Sequence, residues 1–505
     1  MNSSHLTLGQ PVPRLDDLNK LATGVRRPAY QPKDHKAGIV HLGPGAFHRA
    51  HQAVYTDEAL ALSGGDWRII GISLRSRAIA DTLNRQNGLY SLIENSADGS
   101  SVRIIGSIER VIAAVEDRQA AIAAMADPSI RVITMTVTEK AYGIDRVTGQ
   151  VDMDDETIVH DLAQPQQPNG VLGLIAESLR LRWQAGHGAP TVLCCDNLPE
   201  NGEVLKAGVL DFARRTDPML ADWIDEHASF PSSMVDRITP AASEETLVRC
   251  QQLIGCDDQV PVETEAFTQW VIEDRFVDER PDWQAAGVMF VPSVAPFEQM
   301  KLRMLNGAHS MLAYAGFLSG CTYVRDVMED RNLSRLVQHH MQAAAATLQP
   351  LDGVDFDTYA DDLLQRFRNP AIAHETYQIA MDGTEKLPQR LLSPAVEALA
   401  AKGNYRPFAF AVAAWMRYCT GRTDSAESYV LRDPKQEQIA DVLRGQETAE
   451  GIYNALTALP GLFPDPLLES AVWRETVVAI LDTLLTDGVA ATIAAEANRR
   501  QHQQV

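Results

Sequence analysis

An α/β N-terminal domain followed by a mainly α-helical C-terminal domain is the fold class this sequence predicts. Three observations carry it. Short β-branched stretches alternate with helical ones through the first 290 residues, a Gly-x-Gly turn follows the first of them, and strand signals nearly vanish from Pro296 onward. At 505 residues the chain is too long for one compact core, so two domains are expected, over 1–290 and 291–505.

Composition narrows the function classes. A net charge of −22 argues against nucleic acid or an anionic membrane surface as partner. Any anionic ligand must then be met by a local basic pocket. The six cysteines show no metal-ligand spacing: Cys194 and Cys195 are adjacent, while Cys250 and Cys256 stand apart from further ligands. Reduced thiols in a cytoplasmic protein without a metal are the expectation. Residues 1–36 read as an irregular polar arm in which no apolar leader is expected, and no apolar run reaches the length of a membrane span. A small-molecule enzyme, monomeric or a small homo-oligomer, fits these bounds.

In chain order, 37–42 is an apolar strand running into Gly43-Pro44-Gly45-Ala46-Phe47-His48-Arg49. Small residues there let a pyrophosphate approach the backbone and a helix N-terminus, so Gly43, Gly45, Ala46 and Phe47 are candidate cofactor contacts in a Rossmann-type domain. The third glycine of the usual fingerprint is absent, which leaves a plain strand-to-helix turn as the alternative. His48 and His51 read as a polar helix face rather than metal ligands. The second strand, 67–73, is followed by Arg75 and Arg77 where an NAD-preferring unit usually carries a carboxylate. Arg75 is a candidate cofactor contact, and NADP stays open beside NAD.

Two further strands, 89–94 and 102–108, read as a hairpin inserted between Rossmann units. The strand 131–138 places Thr138 and Glu139 at a carboxyl end, where ligands of open α/β sheets bind; Lys140 reads as a solvated strand end. A helix over 172–183 and a strand over 190–195 follow, and Asn197 stands just past that strand, where on its own it would pass for a turn residue or helix cap. Asp236–Arg237 reads locally as a surface ion pair. Strands at 270–275 and 288–294 close the first domain. Helices are expected at 336–348, 359–367, 395–401, 409–418 and 472–485 in the second.

The richest stretch runs from Pro296 to Ser310. With no further proline before Leu318, a single helix is predicted over it. At about 100° per residue, Lys301, His309 and Asn306 fall at roughly 0°, 80° and 140° on one largely apolar half. A buried lysine is a plausible acid/base near neutrality, and an asparagine amide can donate to a developing alkoxide. The competing reading is a snorkelling lysine with a satisfied core histidine and asparagine.

Lys301-x-x-x-x-Asn306-x-x-His309 resembles the signature of the mannitol dehydrogenase family, polyol-specific long-chain dehydrogenases that need no zinc. Gly43-x-Gly45-x-Phe47-His48-Arg49, the Thr-Val-Thr138-Glu139 strand end and Met-Val-Asp236-Arg-Ile resemble other family segments, so the likeness covers nearly the whole chain. It implies NAD as cofactor, Lys301 as general acid/base, Asn197 and Asn306 as an oxyanion site, and His309 on a substrate hydroxyl. It also implies Asp236 in the substrate pocket. The segment from Asn369 through Gln378, Lys386 and Arg390 is similar to the fructuronate-reducing branch of the family. Gln378 stands where polyol enzymes have arginine. Lys386 and Arg390 are candidates to hold a uronate carboxylate, because a guanidinium fork or an ammonium pairs well with one. The expected reaction is interconversion of D-mannonate and D-fructuronate. The alternatives are a mannitol 2-dehydrogenase or related polyol enzyme, and a tagaturonate reductase.

Overall fold

The computed structural model describes residues 12–96, 99–138, 141–145 and 148–499. Glu139 and Lys140 lie outside the described residues. The chain divides into two compact units, Met1–Ala295 and Pro296–Val505, so the short strand at 289–291 falls in the first.

The first unit is built on a five-stranded parallel sheet. Its strands are β1 (Ala37–Leu42), β2 (Arg68–Ser73), β5 (Ile108–Ala113), β6 (Val132–Met135) and β7 (Thr191–Cys194), in the order β5-β2-β1-β6-β7. That order reverses direction between β1 and β6, the switch point beyond which Rossmann sheets take their ligands. Every residue of β1, β2, β6 and β7 is buried, as expected for a parallel sheet covered on both faces. Val40 and Leu42 of β1 join one core with Ile133, Leu172 and Leu205, while Ile39 joins the other with Ile69, Leu83 and Trp270.

The inserted hairpin is β3 (Tyr90–Ser96) against β4 (Gly99–Ile105), and β9 (Val262–Glu265) adds to it in parallel. The predicted strand at 102–108 is two strands, because Gly106–Ser107 separates β4 from β5, and β5 enters the main sheet instead. A third sheet holds β8 (Ser233–Asp236), β10 (Gln269–Glu273) and β11 (Met289–Val291). The Asp236–Arg237 pair is not on the surface. Arg237 is buried and ties Glu94 at 2.7 Å and the Ala50 carbonyl at 2.6 Å.

The second unit is helical. Its centre is the helix Gly307–Leu318, apolar on nearly all sides and packed by the helices Arg331–Ala345 and Arg406–Cys419. The single helix predicted from Pro296 is interrupted. The chain runs α-helical over Ala295–Met300, π-helical over Lys301–Asn306, then α-helical again from Gly307. A second π-helical turn, Pro388–Leu392, joins Gly383–Leu387 to Ser393–Ala400 and packs on the first. Among the described residues no helix is long and apolar enough to cross a membrane.

Candidate active site

In the first unit the Gly43–Phe47 turn leaves β1 at the switch point. Gly43 has φ +88°, and a Cβ there would overlap the Thr136 carbonyl, so only glycine serves. Its N–H donates to the Ile72 carbonyl at 2.9 Å, and Thr136 N–H donates to Leu42 at 2.9 Å, which fixes the turn to both neighbours of β1. Gly45 is exposed, and a Cβ there would meet only the Gly43 carbonyl, 3.9 Å away. It precedes the helix Ala46–Ala50 without a side-chain cap, and Ala46 and Phe47 are half-buried. An open, uncapped backbone at this place fits a dinucleotide pyrophosphate.

His48 and His51 are not on a polar face. Both are buried, and His48 stacks on His41 of β1 with ring centres 3.5 Å apart. His41 Nε2 lies 3.2 Å from the Gly43 carbonyl and its Nδ1 2.8 Å from the Thr134 hydroxyl, so the histidines support the turn from beneath. Arg75 is exposed past β2 with no ion pair among the described residues, whereas Arg77 is spent on Asp81 (2.8 Å) and Glu116 (2.9 Å). Thr138 is exposed beyond β6.

Asn197 is exposed beyond β7, directly after a buried group that sequence reading passed over. Asp196 accepts from Val137 N–H at 2.7 Å and from the Tyr142 hydroxyl at 2.5 Å, and the Asn201 amide donates to its carbonyl at 2.7 Å. Burial pushes the Asp196 carboxyl up to about 6. One side chain thus ties the loops after β6 and β7, which carry Thr138 and Asn197. Its position immediately before Asn197 was the available signal. Asp236 ends β8 and is buried.

In the second unit Lys301 opens the π-helical turn and Asn306 closes it, both half-buried. His309 follows one α-turn later, buried, with its ring 4.5 Å from Phe367 and 5.4 Å from His374. Burial, then the neighbouring His374, Arg366 and Arg390, holds its pKa well below the usual imidazole range. A neutral imidazole can accept or donate a hydrogen bond but brings no charge. Arg390, on the second π turn, donates to the Asn306 carbonyl at 3.4 Å and the Ser310 hydroxyl at 3.3 Å. Burial lowers its pKa, and among the described residues it has no carboxylate partner. Lys386 differs: its ammonium reaches the Met381 and Ile379 carbonyls at 2.6 and 3.4 Å and Asp382 at 3.6 Å. Burial and Arg390 lower it too. Gln378 is exposed on the short helix Thr376–Ile379. His374, beside His309, went unremarked although it sits inside the segment that singled out Lys386 and Arg390.

The buried imidazoles imply an acid-labile protein. His41 is pushed down to about 3 and His340 to about 4, while His48 and His309 are also held well below normal, all chiefly by burial. The half-buried His339 and His374 are lowered in the same sense. A depressed histidine stabilises the fold above its unfolded pKa and loses that stability as pH falls. Asp57, Asp196 and Asp258 are raised by burial and oppose this, since they take up protons in the folded state first. The histidines outnumber the carboxyls by one to three protons. Stability should fall by about 1.4–4 kcal/mol per pH unit from about pH 6.5 to about pH 5. Calorimetric Tm across that range checks it; a flat profile would contradict the neutral imidazoles.

Comparison with known proteins gives this geometry its relatives. A model described as the mannitol dehydrogenase Rossmann domain matches residues 37–285, and one described as the mannitol dehydrogenase C-terminal domain matches residues 293–494. The D-mannonate oxidoreductase of Escherichia coli (strain K12) is 41% identical over 476 residues, covering 93% of this chain and 98% of its own. An uncharacterized oxidoreductase of the same organism, YeiQ, is 43% identical over 445 residues, 88% of this chain and 91% of its own. The solved Pseudomonas fluorescens mannitol 2-dehydrogenase, in ternary complex with NAD and D-mannitol, is 37% identical with a TM-score of 0.80, covering 96% of this chain and 99% of that one. Two family models that together span the parallel-sheet unit and the helical unit place the chain in the mannitol dehydrogenase family.

Proposed function

We propose that this chain is an NAD-dependent oxidoreductase interconverting D-mannonate and D-fructuronate. The observation that carries the acidic substrate, over a neutral polyol, is Arg390: a desolvated guanidinium beside His309 and Asn306 with no carboxylate partner among the described residues. A half-buried cation left without a counter-charge is unfavourable, and a uronate carboxylate would supply the partner. The 41% identity to a D-mannonate oxidoreductase points the same way.

Bound at the Gly43–Phe47 turn, NAD supplies or accepts the hydride at the substrate carbon. In reduction the Lys301 ammonium gives its proton to the ketone oxygen as the new C–H bond forms, leaving a neutral amine and an alcohol. In oxidation the neutral amine takes the hydroxyl proton back. The Asn197 and Asn306 amides donate to the oxygen as it gains charge. His309, neutral, orients a neighbouring hydroxyl, and Asp236 fixes the sugar chain. Lysine and amides together carry the charge development that a metal would otherwise meet. Arg75 leaves room for NADP beside NAD.

The test is initial rates for D-fructuronate, D-tagaturonate, D-fructose and D-mannitol with both cofactors. Highest kcat/KM on fructuronate with NADH is the expected result. Robust turnover of fructose or mannitol with none of fructuronate would replace this reading with a polyol dehydrogenase, which the mannitol 2-dehydrogenase relative represents.

A further inference from the structure

In an α-helix, residues five apart point about 140° away from each other. Lys301 and Asn306 are five apart, so a regular helix would set the amine and the amide at opposite edges of the half they share, about 140° apart. The π-helical turn narrows that separation. Its defining bond runs from Gly307 N–H back five residues to the Leu302 carbonyl, and an i→i+5 turn brings residues five apart closer to one face than an α-helix does. A π turn has poorer packing along its own axis than the α-helix on either side of it, so something outside it must hold it.

Two sets of contacts do so. On one side Arg303, buried within the turn, makes a two-pronged pair with Glu397 at 2.6 and 2.6 Å and also reaches the Thr347 carbonyl at 2.9 Å and its hydroxyl at 3.0 Å. Glu397 belongs to the helix Ser393–Ala400, which leaves the second π turn. At the turn's exit Gly307 lets that second turn come close: a Cβ there would sit 3.0 Å from the Arg390 carbonyl and 3.0 Å from His340 Nε2. Arg390 then donates back to the Asn306 carbonyl. The two π turns brace each other.

We propose that Arg303, Glu397 and Gly307 are positioning residues that hold the 301–306 turn π-helical and so keep the Lys301 amine and the Asn306 amide on one face. The inference rests on the roles given to Lys301 and Asn306 above. All three residues act through the register of the turn.

The experiment compares Glu397→Gln and Gly307→Ala with the parent and with Lys301→Ala, following oxidation of D-mannonate and of D-mannitol by NAD. Gln keeps the shape of Glu397 but drops its charge, and Gly307→Ala forces the Arg390 carbonyl and His340 to give by a few tenths of an ångström. Both variants should lose about 10- to 100-fold in kcat, because a displacement near 1 Å is enough for that. The sugar-acid KM should move by less than about threefold, and NADH affinity, measured by fluorescence titration, by less than about twofold. A merely structural role would lower Tm and leave kcat per folded molecule where it was, without the split between kcat and KM. That outcome in both variants overturns the proposal while leaving Lys301 as the acid/base. Retained turnover in Lys301→Ala overturns the proposal together with the reading it rests on.

Discussion

Lys301→Ala is expected to cut kcat by about 10³–10⁴-fold in both directions, with NADH affinity unchanged within about twofold. The size follows from what the amine does. In the proposed oxidation the alcohol proton must leave as the hydride departs; without a base the alkoxide forms unaided. In reduction the ammonium both donates the proton and offsets the charge growing on oxygen. Lys301→Arg should be nearly as poor, because a guanidinium keeps its charge and cannot act as base near neutral pH. A small primary amine added to Lys301→Ala should restore part of the lost rate, while the same amine leaves the parent unaffected. Turnover within a few-fold of the parent at every pH would remove Lys301 from the proton path.

The fold was legible where one physical rule decided the outcome. The apolar run of β1 ending in Gly43-Pro44-Gly45 can only be a buried strand feeding a tight turn, and its bounds match the structure. Asn197 at a strand's carboxyl end was legible for the same reason. The interrupted helix was not. Lys301–Asn306 contains good helix formers, and Met300 and Gly307, which flank the π turn, both have ordinary right-handed dihedrals. What selects the π turn is an ion pair between residues 94 positions apart, Arg303 and Glu397, which no local pattern contains. His48 and His51 misled for a related reason. Polar residues were taken as exposed, whereas here a neutral imidazole packs under the Gly43–Phe47 turn as a flat core residue stacked on His41. The Gly106–Ser107 break was too short to show in the sequence, although the two strands it separates pair in different sheets.

Arg390→Met is expected to lower kcat/KM for D-fructuronate by about 10²–10³-fold and to leave D-fructose within a few-fold of the parent. On the proposed reading, removing the cation leaves the substrate carboxylate unpaired, and truncating one partner of a hydrogen-bonded charge pair costs about 3–4 kcal/mol. Fructose has no carboxylate to strand. The same reasoning separates Arg390 from Lys386. The Lys386 ammonium already meets two carbonyls and Asp382, so Lys386→Met should loosen the segment around Met381 and affect both sugars alike. Arg390→Lys should recover only part of the discrimination, because an ammonium offers a point charge in place of a two-pronged fork. Arg390 also braces the Asn306 carbonyl, so some loss on fructose is expected from a displaced amide. The discriminating quantity is therefore the ratio of the two losses. Equal losses on fructuronate and fructose would make Arg390 a brace alone, and the acidic substrate would then lose its partner in the helical unit.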